Sequence, residues 1–134
     1  MITVSIMRSC RTGIMLALAG VMAFSAAGSA AAGEADIVDA RATRTGDGAW
    51  RFDVTVSHAD EGWEHYADRF DIVAPDGAVL GERILLHPHV TEQPFTRSLT
   101  GVKIPDGVMF VEIRANDKVH GLGGKTLKID LPRD

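Results

Sequence analysis

From Trp50 to Ser57 the chain alternates strictly: Trp50, Phe52, Val54 and Val56 are apolar, and Arg51, Asp53, Thr55 and Ser57 between them are polar. Successive side chains of an extended strand point to opposite faces, so a period of two makes one dry face and one wet face. A helix cannot use that pattern. The same period recurs along the chain, in Val38, Ala40 and Ala42, in Phe70, Ile72 and Ala74, and in Leu80, Ile84 and Leu86. Phe95 and Leu99 lead toward Val102 and Ile104; Met109, Val111, Ile113 and Ala115 follow, then Leu127, Ile129 and Leu131. No long stretch keeps the 3.6 spacing of a core helix. Seven short strands are expected, and in about 100 residues they make an all-β sandwich.

The first 32 residues stand apart from this pattern. Arg8 and Arg11 form a basic start, Thr12 to Gly33 carries no charge, and Gly28-Ser29-Ala30-Ala31-Ala32 closes the run with small residues. That order describes a secretory signal peptide cut after Ala32, leaving residues 33–134 as one β-sandwich domain. Cys10 precedes the apolar run, so it cannot become a lipid-anchored cysteine after cleavage. The expected location is periplasmic or secreted, with no stable membrane insertion once the signal is removed. Removing Arg8 and Arg11 with that segment leaves 12 basic and 18 acidic residues, a net charge of −6. Such a balance offers no electrostatic footprint for nucleic acid. The remaining chain has no cysteine and one methionine, Met109.

Two kinds of connection alternate. After the first, third and fifth strands come Thr45-Gly46-Asp47-Gly48, Pro75-Asp76-Gly77 and Pro105-Asp106-Gly107. In the latter two, Pro presets φ at the first turn position, and glycine supplies the positive φ that these turns need. After the second, fourth and sixth strands come longer loops, His58–Asp68, His87–Pro94 and Asp117–Gly124. Alternate connections of a sandwich leave opposite ends of the strands, so the long loops should share one pole. All five histidines fall in them: His58, His65, His87, His89 and His120.

Imidazole is both a common metal ligand and an acid or base near neutral pH. In His87-Pro88-His89, Pro88 pushes His87 toward an extended conformation, where residues two apart share a face and can lean on one ion. His87 and His89 therefore rank first as ligands, followed by His58 and His120, then His65. Asp60 and Asp68 are candidate carboxylate ligands or orienting groups. The absence of cysteine excludes a thiolate or blue-copper site, and imidazole with carboxylate suits Zn²⁺ or Cu²⁺. Ser57 with Asp60 could start a short helical turn carrying His58, Glu61 and His65 on one face; an extended loop would group them differently. Gly123-Gly124-Lys125-Thr126 resembles a phosphate loop only superficially, since Val119 stands where that loop needs glycine and a strand follows. No nucleophile with a facing base is apparent, and nothing names a substrate, so the reading is of a binding protein rather than an enzyme.

The segments His58-Ala59-Asp60-Glu61-Gly62-Trp63-Glu64-His65-Tyr66-Ala67-Asp68 and His87-Pro88-His89-Val90-Thr91-Glu92-Gln93-Pro94-Phe95-Thr96-Arg97-Ser98-Leu99, with Val119-His120-Gly121, resemble a family of small exported bacterial proteins with no assigned function. The closing stretch, Val108–Asn116 followed by a glycine-rich loop and Thr126–Pro132, resembles the last hairpin of immunoglobulin-like and fibronectin-type-III domains. That resemblance implies a seven-stranded immunoglobulin/fibronectin-III-like sandwich. In architecture the chain is also similar to small periplasmic copper carriers, which hold their ion in loops at one pole, although it lacks their Met-rich ligand segments.

Two functions follow as expectations. One is a periplasmic metal-binding protein using the histidine cluster. The other is an envelope protein-interaction module without metal, with Trp63, Tyr66 and Arg97, and Phe95 beside them, as contact residues of the types enriched at interfaces.

Overall fold

The structure is a computed structural model that describes residues 33–46 and 48–132; the expected signal segment lies outside the described residues. The described residues contain no helix and eight strands: β1 (Asp36–Gly46), β2 (Ala49–Ser57), β3 (Ala67–Val73), β4 (Val79–Ile84), β5 (Phe95–Lys103), β6 (Phe110–Asp117), β7 (Gly121–Leu122) and β8 (Leu127–Asp130). The count exceeds the expected seven because the chain folds back after His120, pairing Leu122 with Asn116 and Gly121 with Asp117. Two residues suffice for that short return.

All pairings are antiparallel. One sheet has the order β1-β2-β5; the other runs β4-β3-β6, with β7 and β8 both pairing with β6. Trp50, Phe52, Val54, Val56 and Phe95 from the first sheet meet Phe70, Ile72, Val111, Ile113 and Ala115 from the second in one buried core. Each of the Val, Ile and Phe side chains contributes roughly 1.5–3 kcal/mol by leaving water, and among the described residues, which include no cysteine, this burial stands in place of a disulfide.

Three details of the alternation differ from the expected faces. Ile37 is buried and Val38 is half exposed, because a bulge between Ile37 and Asp39 advances the pleat by one residue. Leu85 is buried while Ile84 and Leu86 are exposed. The strand ends at Ile84, and the Leu85 N–H turns to the Asp68 carbonyl at 2.8 Å. Met109 is exposed, lying just before β6 begins.

The short turns gather at one end of the molecule. Ile104 N–H donates to the Gly48 carbonyl at 3.1 Å, and Pro105 lines one cleft with Gly48 and another with Pro75. The long loops meet at the opposite end.

Candidate metal centre

Two strand faces carry their alternation one step beyond the apolar core. The buried series Trp50, Phe52, Val54, Val56 continues to His58, and the series Val111, Ile113, Ala115 continues to Asp117. These two chain ends belong to different sheets and face each other, placing His58 Nε2 3.0 Å from Asp117 Oδ2. Both side chains are fully buried.

The first long loop is extended and turned rather than helical. Gly62 and His65 form an isolated bridge, with His65 N–H donating to the Gly62 carbonyl at 3.2 Å and Glu61 N–H to the His65 carbonyl at 2.9 Å. Gly62 takes φ of 133°, a conformation that side-chain-bearing residues resist. This turn reverses the chain and carries the His65 ring back over the site, its Nε2 3.1 Å from Asp117 Oδ2. His120 approaches from the third loop with Nδ1 2.8 Å from the same oxygen. Three imidazoles therefore aim at one carboxylate oxygen. His58, His65 and Asp117 each offer a ligand atom within 4.8 Å of the others, the spacing of a metal-binding group.

The other Asp117 oxygen builds the loop. Oδ1 accepts the backbone N–H groups of Val119 at 2.6 Å and His120 at 2.7 Å. Burial alone would raise the Asp117 pKa. The donors from His120, Val119 and His65 overcome it and hold the carboxyl well below the usual range. Desolvation also opposes protonation of His65, yet its hydrogen bonds to Asp117 and Glu61 outweigh this and raise its pKa above the ordinary imidazole value.

Asp60 lies behind His58. Its Oδ1 sits 2.5 Å from His58 Nδ1 and accepts the Ala67 N–H, while Oδ2 accepts the His89 N–H at 2.6 Å. A carboxylate on the far nitrogen of an imidazole fixes the ring and its tautomer, as in the outer shells of metal sites. Gln93 ties the second loop to the first, accepting the His58 N–H and donating to the His89 carbonyl, both at 3.0 Å. The Gly33 carbonyl reaches His58 Nε2 at 2.9 Å.

His87 and His89 form a separate pair, ring centroids 4.6 Å apart, across Asp60 from the cluster. His89 is buried and stacked on Phe95 at 4.0 Å. Desolvation, with the charges of Arg97 and His87, pushes its pKa down. Asp68 is outside the group as well, accepting from Asn116 Nδ2 at 2.7 Å. Of the expected contact residues, Trp63 is 64% exposed, whereas Tyr66 and Phe95 are buried. Arg97 pairs with Glu92 at 3.1 Å and lies over the Phe95 ring.

Reading the sequence loop by loop missed Asp117 as a site residue. Its signal was parity: an aspartate two residues beyond Ala115 on an apolar face is a buried carboxylate that must find donors.

The site belongs to a two-sheet, all-β domain with histidine and aspartate at one pole. A protein of Halomicrobium mukohataei whose name reads "Putative lipoprotein" is 41% identical to the chain over 97 residues, 72% of this chain and 47% of that protein. The chain thus spans about half the length of the curated relative it matches. No family model matches the chain, and no solved structure matches it.

Proposed function

We propose that this protein binds one divalent metal ion, zinc or Cu²⁺, through His58, His65 and Asp117 at the long-loop pole of an immunoglobulin/fibronectin-III-like sandwich. The convergence of imidazoles on the single buried oxygen Asp117 Oδ2 carries the reading. Proton bookkeeping supports it. His58 faces acceptors at both ring nitrogens, Asp60 on one side and Asp117 with Gly33 on the other. His65 likewise lies between Glu61 and Asp117. A neutral imidazole has one N–H, so both rings are satisfied only as imidazolium or with a cation among them. One dication supplies the positive charge of two protons and uses the lone pairs that neutral rings present.

The uncharged segment after Arg11 and the name of the Halomicrobium relative support an exported, envelope-associated protein, and the small residues Gly28 to Ala32 favour cleavage after Ala32. No helix among the described residues is long and apolar enough to cross a membrane. The order β1-β2-β5 facing β4-β3-β6-β8 supports the fibronectin-like reading of the fold.

Calorimetric titration and elemental analysis of the secreted protein test the function. About one equivalent of metal is expected, lost in a His58→Ala/His65→Ala variant and kept in a His87→Ala/His89→Ala variant. Metal held equally well by the first variant would refute the ligand assignment.

A second reading rests on the exposed Trp63 and Val119, apolar side chains beside the site that suit an envelope protein partner. Capture of a partner by the wild type but not by Trp63→Ala, with metal content unchanged in both, would favour it.

A further inference from the structure

The His87-Pro88-His89 segment takes no part in the buried centre proposed above. We propose that His87 and His89 form a second, weaker cation site, separate from that centre and suited to Cu²⁺. His89 carries the argument. It is buried, its ring stacks on Phe95 at 4.0 Å, and neither of its ring nitrogens has a hydrogen-bond partner among the described residues. Buried polar atoms ordinarily find partners, so an imidazole with both nitrogens orphaned marks a place for a ligand. His89 Nδ1 lies 3.9 Å from Asp60 Oδ2, too far for a hydrogen bond but facing a carboxylate. With its proton on that side, the lone pair is left at Nε2, the arrangement of a metal-ligating histidine.

His87 is prepared in the same way from the solvent side. Its Nδ1 lies 3.2 Å from the Pro88 carbonyl, which can only accept, so Nδ1 carries the proton and Nε2 keeps its lone pair. The two ring centroids are 4.6 Å apart, and His87 is exposed. An ion would enter at His87 and, with a turn of that side chain, reach the buried ring behind it. Arg97, whose charge faces His89, is already paired with Glu92 at 3.1 Å. Among the described residues the three-donor group is His58, His65 and Asp117, so this second site supplies two protein donors and solvent completes the shell. Two imidazoles favour Cu²⁺, which stands highest in the affinity order of divalent ions. The site fills after the buried centre and more weakly, so metal retained through purification stays at one equivalent.

Titration of the secreted protein with Cu²⁺, followed by calorimetry and electron paramagnetic resonance, tests this. Beyond the one tight equivalent of the buried centre, the wild type should take up a second, weaker equivalent whose resonance carries splitting from imidazole nitrogen. His87→Ala, a change at an exposed residue, should weaken the second step at least about tenfold and leave the first unchanged. His87→Ala/His89→Ala should abolish the second step, and His58→Ala/His65→Ala should lose the first and keep the second. One equivalent in the wild type, held equally well by His87→Ala, would overturn the second site and leave the buried centre standing, as would a second step that His87→Ala does not change. A single step lost with His87 and His89 but kept in His58→Ala/His65→Ala would uphold the second site and overturn the buried centre. No Cu²⁺ bound by the wild type would overturn both.

Discussion

His65 links the proton chemistry of the site to its proposed metal binding. In the metal-free protein its hydrogen bonds to Asp117 and Glu61 favour the imidazolium, raising its pKa above the ordinary 6.5. A raised folded-state pKa means that the folded chain holds this proton more tightly than the unfolded chain does. Its contribution to stability is therefore complete below pH 6.5 and is lost as pH rises through the folded value. Metal binding runs the other way, since the ion needs the lone pair that the proton occupies. Affinity for zinc should rise with pH through the neutral range, while the part of metal-free stability due to His65 falls. His89 works in the opposite sense to His65: its lowered pKa removes stability as pH falls below 6.5. The two are separated by comparing wild type with His65→Gln in chemical denaturation of the metal-free protein from pH 5.5 to 8.5. The stability advantage of wild type should shrink as pH increases; an advantage constant across that range would remove His65 from the linkage.

At the scale of strands and loops, the site depends on how the third loop is seated. Gly124 lies against the backbone of Ala35, and a Cβ there would overlap the Ala35 carbonyl. Gly123 is similarly crowded by the Glu34 side chain, which is flexible enough to move. Nearby, Lys125 N–H donates to Asp36 Oδ1 at 2.7 Å, and Ile37 N–H to the Lys125 carbonyl at 2.9 Å. The loop and the segment 33–37 are thus packed backbone to backbone, and that segment brings the Gly33 carbonyl to His58. Gly124→Ala should cost about 1–3 kcal/mol in urea denaturation and also weaken metal binding, although residue 124 touches no ligand. A variant with unchanged midpoint and unchanged affinity would show that the contact does not hold the loop. Much of this arrangement was legible in the sequence. The strict alternation in β2, the encoded turns, and the restriction of every histidine to the long loops pointed to strands with one histidine-rich pole. The bulge at Val38 was not, because an extra residue changes the phase without changing composition. Nor could the sequence say which imidazoles meet. That depends on Asp60 turning its two oxygens to opposite loops, which separates His87 and His89 from the other three rings.

Across the whole molecule, the proposed metal site would join two sheets whose shared core is apolar. His58 follows β2 in one sheet, and Asp117 ends β6 in the other. A bound ion would therefore connect the sheets at the pole where the core gives way to polar residues, while the short turns close the opposite pole. Because the unfolded chain scatters these ligands over sixty positions, its affinity for the ion should be small, and nearly all of the binding free energy should appear as added stability. At a free zinc concentration one hundred times the dissociation constant the gain is about 2.7 kcal/mol. For about 100 residues that corresponds to a rise in melting temperature of roughly 10–20 °C. Scanning calorimetry with zinc and with chelator should show this difference in the wild type and none in His58→Ala/His65→Ala. If zinc binds the wild type without moving its melting temperature, the unfolded chain holds the ion as well as the folded one does, and the bridge between His58 and Asp117 does not form.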